Sequence, residues 1–393
     1  MVNERRWLWG IFGFYFFLAV GYSLLMPLWE APDEPAHYHL AWRIVRVGEY
    51  ASEERNYEAT QPRPYYYFAS LFIRALDKID PAYSDYYFPK EFKFNIRVAK
   101  PRFDWNAENY RFLLGVYVLR WVNVLFGALA LWLNYKSFCL IAPDKPTLRL
   151  SALALAALTP QYLHIMSSVN NDALGTVAGA LLFYLAIRIL NGAPVWLSLL
   201  TILLALALPL STKLTVLPVS AAVIVIIGVK WFFSLNQKRW LVIAAVLVLF
   251  VGVLIYILFP DSIQSASHEI TWRLFGLRKR GVDAEYLNVI TNQIIQTYWG
   301  KVGWLAVGLP DWIFKLMTAL GFLGAVLQVR KLINHRLTPQ FTLWAGTFLI
   351  ALFTILAVAR NGLTTGATQG RLLFPAIGAI SLLMLSGWHE VLA

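Results

Sequence analysis

The chain has 393 residues, of which 59% are hydrophobic, 15% aromatic and only 14% charged. Soluble domains carry about 45–50% apolar and about 25% charged residues, so a soluble globular enzyme and a disordered chain are both excluded. The net charge of +12 argues first for membrane topology and only weakly for nucleic acid, because Lys and Arg collect in the cytoplasmic loops of membrane proteins.

Apolar runs near the roughly 20 residues that cross a bilayer fall at 7–29, 112–140, 148–167, 173–190, 195–210, 214–234, 240–259, 312–328, 340–358 and 372–388. They predict an all-α polytopic membrane protein of about ten spans, built as a single transmembrane domain over 1–393 without a separate soluble domain. The first run is too long for a signal core, and no small-residue cleavage site follows it.

The pair 195–210 and 214–234 is separated only by Ser211, Thr212 and Lys213. Counted as two spans, it gathers Arg5, Arg6, Lys145, Arg149, Arg188, Lys230, Lys238, Arg239, Arg330, Lys331 and Arg336 on one side. That is the positive-inside pattern, and it places both termini in the cytoplasm. The opposite face receives residues 30–111, the loop 259–311 and the short segments 169–172, 211–213 and 359–371. Thirteen of the 22 acidic residues lie in 30–111, so chemistry is expected on this outer face.

The first outer loop carries helical signals. A helix is predicted over 35–48, with Pro35 at its first position and Asp33 or Glu34 as the cap. A second amphipathic stretch follows Pro64, with Phe68, Leu71, Phe72, Ala75, Leu76 and Ile79 at helical spacing. Two such helices after a first span suggest segments lying in the membrane interface. The aromatics Tyr65, Tyr66, Tyr67, Tyr86, Tyr87 and Phe88 suit headgroup level.

Four constellations stand out. Glu30-Ala-Pro-Asp33-Glu34-Pro35-Ala-His37 sets two adjacent carboxylates between prolines at the outer end of the first span. Such a carboxylate could accept a proton from an attacking group, hold a divalent cation, or simply cap a helix. Basic residues form the second set: Lys213, Arg360, Arg371 and Lys301, the run Arg278-Lys279-Arg280, and Arg120 in the outer half of the second span. Arginine suits phosphate oxygens through its planar fork, but cations also snorkel to ordinary lipid headgroups. Asn170-Asn171-Asp172 is the third, a turn and N-cap by its composition, with Asp172 the only acid between Leu148 and Gly228. The fourth is Thr297-Tyr-Trp-Gly-Lys-Val-Gly-Trp304, which fits an aromatic anchor as well as a sugar-stacking or lipid-tail groove.

Cys139 is the only cysteine and the six histidines are scattered, which excludes a cysteine-cluster metal site and gives no zinc signature. The mid-membrane segments hold almost no ionisable residues, which argues against ion-coupled transport. Neither a Walker-type loop nor a dinucleotide fingerprint occurs.

Pro32-Asp33-Glu34-Pro35-Ala36-His37 resembles the acidic first-outer-loop motif of GT-C-fold membrane glycosyltransferases, and Gln61-Pro62-Arg63-Pro64-Tyr65-Tyr66 resembles their Pro-rich, Tyr-Tyr segment. The chain is most similar to a bacterial GT-C-related multispanning family of unknown function. Further echoes are Asn170-Asn171-Asp172, Ser211-Thr212-Lys213, Tyr298-Trp299-Gly300 with Gly303-Trp304, and Gln369-Gly370-Arg371-Leu372-Leu373-Phe374-Pro375. Arg63 and Pro64 depart from the Pro-Leu pair more usual there.

The resemblance implies inverting transfer of a sugar from a polyprenyl-phosphate donor to a glycan, lipid or protein acceptor on the outer face of a bacterial membrane. It assigns catalysis to Asp33 with Glu34 beside it. Substrate contacts go to His37, Gln61, Tyr65, Asn171, Asp172, Lys213, Trp299, Lys301, Arg360, Gln369 and Arg371. The donor needs no nucleotide and no redox cofactor, and a divalent cation at Asp33 and Glu34 stays open. A partner membrane subunit for acceptor recognition stays open. So do two other readings, a non-catalytic binder or flippase of lipid-linked sugars and an accessory subunit of a larger complex.

Overall fold

The structure, a computed structural model, describes residues 3–50, 56–85, 113–233, 283–303, 307–334, 339–365 and 368–392. The expected span at 240–259, the run Arg278-Lys279-Arg280, the aromatics Tyr86, Tyr87 and Phe88, and Trp304 lie outside the described residues.

Among the described residues the regular structure is helical, and seven helices are long and apolar enough to cross a membrane: Glu4–Leu25, Leu114–Ile141, Asp172–Leu190, Leu214–Phe233, Asp311–Arg330, Gln340–Thr364 and Gly370–Leu392. The chain is therefore built as a polytopic membrane protein. Trp7, Phe17, Leu25, Phe233 and Phe322 are exposed on these helices. An apolar surface of this extent is costly in water and natural against acyl chains.

The elements run α1 Glu4–Leu25, α2 Glu34–Arg46, a short 3₁₀ turn Tyr57–Thr60, α3 Pro64–Asp77, α4 Leu113–Ile141, α5 Pro146–Leu158, α6 Pro160–Met166 and α7 Asp172–Leu190. Then come α8 Val195–Ser211, α9 Leu217–Phe233, α10 Ala284–Trp299, α11 Asp311–Asn334, α12 Pro339–Thr365, a 3₁₀ turn Gly370–Ala376 and α13 Ile377–Leu392. α1 stops before Pro27, and α2 and α3 each take a proline in their first turn.

One expectation needs correcting. The run 148–167 is not one continuous span but α5 followed by α6, with Thr159 extended between them at φ −60°, ψ 118°. Pro160 is the cause. Its ring pushes the preceding residue out of the helical region, and it has no N–H for the ladder. α5 and α8 are shorter apolar helices than the seven spans.

α7 is the central post. It packs on α4, α8, α9, α12 and the Gly370–Ala376 turn. Gly179 permits the last contact, since a Cβ there would run into the Pro375 backbone. Close approach through small residues is how helices gain contact in lipid, where the hydrophobic drive between them is absent.

The two ends of the bundle differ. At one end Arg149 donates to Glu4 at 2.9 and 2.5 Å, Tyr135 donates to Glu4 at 2.8 Å, and Lys145 pairs with Glu390. This ties α1, α4, α5 and α13 together. The other end gathers the α1–α2 link, the start of α7, the α8–α9 link and the Gly370–Ala376 turn.

Candidate functional site

The site begins at the α1–α2 link. Trp29 and Asp33 both adopt left-handed backbone, φ 65° and 66°. Such a conformation is strained for a residue with a side chain and persists only when its surroundings hold it. The hold is Glu34. Its carboxylate accepts from Arg120 Nε at 2.8 Å and Nη2 at 2.7 Å, from the Trp29 N–H at 3.2 Å and from the Val169 N–H at 3.0 Å. Arg120 also donates to the carbonyls of Ser23, Met26 and Pro27, closing the free end of α1. Both side chains are 0% exposed. Glu34 is thus a buried anchor joining α1, α2, α4 and the turn before α7. Its oxygens accept from four donors, an arrangement that holds the α1–α2 link in place.

Asp33 occupies the N-cap position of α2 but makes no capping hydrogen bond. Its carboxylate instead accepts from Arg371 Nη2 at 2.8 Å. Adjacent carboxylates therefore face different cations. Glu34, held by Arg120, has no lone pair left to share a divalent ion with Asp33, so the donor set does not fit the metal suggested for that pair.

Arg371 makes a second approach, with Nη1 3.7 Å from Asp172 Oδ2, and Lys213 Nζ donates to Asp172 Oδ1 at 2.8 Å. Asp33, Asp172, Lys213 and Arg371 form one chain of charge drawn from four distant segments. Asp172 is the first residue of α7, where the helix dipole favours an anion. Arg371 is fixed from behind. Gly370 N–H donates to Thr297 Oγ1 at 2.6 Å, and a Cβ on Gly370 would overlap the Ile294 carbonyl and the Tyr298 backbone.

The surrounding polar atoms are under-satisfied. Arg371 Nε and Nη1, Asp172 Oδ2, Asn171 Oδ1 and Gln369 Oε1 are buried without a hydrogen-bond partner among the described residues. Gln161 Oε1 and His164 Nε2 on α6, which packs on the Gly370–Ala376 turn, share that condition.

His37 and Gln61 adjoin this cluster. His37 Nδ1 lies 2.8 Å from Tyr66 Oη, and burial holds its imidazole down to about 3, with the Lys213 charge adding to the effect and Asp33 opposing it. His37 is therefore neutral at physiological pH. Gln61 accepts from Asn171 Nδ2 at 3.3 Å. Tyr65 plays a structural part: its hydroxyl and Asn123 exchange hydrogen bonds at 3.1 and 3.3 Å, while Asn123 donates to the Ser168 and Asn170 carbonyls. The Asn170 side chain accepts from the Ala173 N–H at 3.2 Å, so Asn170 supplies the capping bond expected of the Asn-Asn-Asp triplet.

Three other expected residues have contacts of their own. Trp299 is buried, with Nε1 donating to Thr318 at 2.8 Å, and locks α10 on α11. Lys301 donates to Gln296 at 2.8 Å, which in turn donates to Asp311. Arg360 is half-buried in the last turns of α12, its carbonyl accepting from Thr364.

Sequence reasoning misses Glu58. It sits in the Tyr57–Thr60 turn, and the charges of Asp33, Lys213, Arg371 and Asp172 all act on its carboxyl, which burial above all pushes up to about 7. The only sequence signal is an acid three residues before Gln61, inside an otherwise unpatterned loop. Glu30 enters the sequence reading only as part of the acidic motif. Its Oε2 is buried and unpartnered, and burial raises its carboxyl to about 7.

No protein-family model matches the chain, and no curated protein matches it.

Proposed function

We propose that this protein is a GT-C-type glycosyltransferase. It moves a sugar from a polyprenyl-phosphate carrier to an acceptor hydroxyl or amine on the non-cytosolic face of a bacterial membrane, with inversion. The observation carrying this reading is Arg371. One guanidinium links Asp33 to the Asp172–Lys213 pair, while among the described residues its buried Nε and Nη1 make no hydrogen bond. Buried donors without acceptors are costly, and a guanidinium edge suits phosphate oxygens. A phosphate beside Arg371 and Lys213 supplies the missing acceptors. The Lys- and Arg-rich loops at the other end of the bundle support the orientation, both termini being cytoplasmic. α2 and α3 then lie along the outer interface.

In the reaction the acceptor atom attacks the anomeric carbon from the face opposite the phosphate. The bond from that carbon to the phosphate oxygen breaks, and its electron pair leaves on the lipid phosphate. Lys213 and Arg371 stabilise this developing charge. Asp33 takes the acceptor's proton. Asp172 orients both cations, and Glu34 fixes the backbone that presents Asp33. The balance closes without a nucleotide.

The test uses the full chain in nanodiscs with labelled polyprenyl-phosphate glucose, mannose or arabinose and a membrane lipid extract as acceptor. Wild type transfers label from one of these donors, and Asp33→Asn loses transfer at unchanged expression and detergent stability. Full activity in Asp33→Asn removes the site assignment. Failure to bind any polyprenyl phosphate removes the function.

A further inference from the structure

Taking the transferase reading as its basis, we infer that Glu58 is a specificity-determining residue, contacting a hydroxyl of the transferred sugar beside the phosphate held by Arg371 and Lys213.

The placement comes from a tether at each end of the Tyr57–Thr60 turn. Asn56 Nδ2 donates to the Ala36 carbonyl at 2.9 Å, fastening the turn to α2 three residues after Asp33. Asn56 Oδ1 accepts the Glu58 N–H at 2.9 Å, which fixes the backbone of Glu58 itself. At the far end Gln61 accepts from Asn171, the neighbour of Asp172. The turn therefore bridges the two carboxylates that flank Arg371, with half-buried Glu58 in its middle.

Charge counting gives the chemistry. The cluster has two cations, Lys213 and Arg371, each already paired with a carboxylate, Asp172 and Asp33 respectively. Glu58 is a third acid. The groups bearing on it are Asp33, Asp172, Lys213 and Arg371, with the phenols of Tyr50 and Tyr66 also electrostatically linked to it. Its carboxyl holds a proton up to about pH 7. A neutral carboxyl both donates and accepts, so it can answer either role of a sugar hydroxyl. An incoming phosphate adds negative charge and favours that proton further. Asp33 is paired with Arg371 and Glu58 with neither cation, so the two acids are set apart by their partners among the described residues. A site built to hydrogen-bond a hydroxyl discriminates strongly against an analogue lacking it.

The experiment measures, in detergent-purified full chain, the ratio of dissociation constants for polyprenyl phosphate alone and for polyprenyl-phosphate glucose, mannose and arabinose. In wild type one sugar tightens binding. Glu58→Ala is expected to reduce that sugar-dependent gain about tenfold, the equivalent of one lost hydrogen bond. Glu58→Gln keeps most of it, since an amide also donates and accepts. The wild-type gain declines as pH rises above about 7, the free-chain value of Glu58, and the Gln variant loses that decline. An undiminished gain in Glu58→Ala, or a gain that grows above pH 7, overturns the proposal while leaving the transferase reading intact. Absence of carrier binding, with or without sugar, overturns both. Arg371→Ala weakens both ligands alike, which separates phosphate holding from sugar reading.

Discussion

Arg120 grips the Glu34 carboxylate through Nε and Nη2 at 2.8 and 2.7 Å, across 86 residues of chain and out of contact with water. Removing one partner of such a pair strands the other charge in a low-dielectric interior. Arg120→Ala is expected to cost about 3–5 kcal/mol of stability, and Glu34→Gln a part of that, measured as thermal unfolding in detergent. On the proposed reading, activity per folded molecule in Glu34→Gln stays closer to wild type than in Asp33→Asn, because the Glu34 oxygens are taken up by Arg120 and two backbone N–H groups. Equal stability of Arg120→Ala and wild type would show that the anchor is dispensable.

The planar fork of Arg371 spans two carboxylates, Nη2 donating to Asp33 Oδ2 at 2.8 Å and Nη1 lying 3.7 Å from Asp172 Oδ2. Lysine at 371 keeps the charge but reaches one oxygen at a time. On the proposed reading, Arg371→Lys should lower transfer by about 10²-fold, in the range lost with one stabilising donor, with expression unchanged. The check is initial rate at saturating donor. A rate within a factor of about two of wild type, which is small beside such a donor's contribution, would exclude a fork-specific role.

His37 links pH to stability. Its folded-state value is about 3, against an unfolded value of 6.5. Between these the unfolded chain takes a proton that the folded chain refuses. The stabilisation is complete above about pH 6.5 and is lost as pH falls toward 3, at no more than about 1.4 kcal/mol per pH unit. His39, held down to about 4 by burial and then by Arg43, adds a slope of the same sign. His37→Gln should flatten part of the acid limb of a melting-temperature profile; an unaltered limb would show that His37 is not buried neutral.

Glu30 acts in the opposite sense. Its Oε2 is buried without a partner, and its side chain rests against Gly303. The unfolded chain gives up this proton near 4.5, the folded chain near 7. Stability therefore falls as pH rises from 4.5 to 7, and the loss persists above. Glu30→Gln should raise stability by about 1–3 kcal/mol at pH 8, because an amide escapes the ionisation penalty of a carboxyl raised from 4.5 to about 7, reduced by its partial exposure, and change little at pH 4. A melting-temperature gain of the same size at both values would point to packing instead of ionisation.

Much of the architecture was legible in residue order. Apolar length marked seven membrane-crossing helices among the described residues, and Pro35 and Pro64 marked the starts of α2 and α3. The motif residues Asp33, Asp172, Lys213 and Arg371 were legible as chemically eligible groups. Thr159–Pro160 was readable in principle, yet hydropathy ran through it, because a proline changes backbone direction without changing polarity.

The sequence by itself determined the membrane class, the helical periods and the stock of ionisable groups, since these follow from local composition and backbone sterics. Only the tertiary structure decided how that stock was divided. Asp33 and Glu34 are neighbours with near-equal chemistry, yet one meets Arg371 and the other is sealed against Arg120. Glu58, in a loop without periodicity, joins the site through Asn56 and Gln61. Charge pairing depends on distance through space, and helix packing sets that distance between groups as far as 338 residues apart.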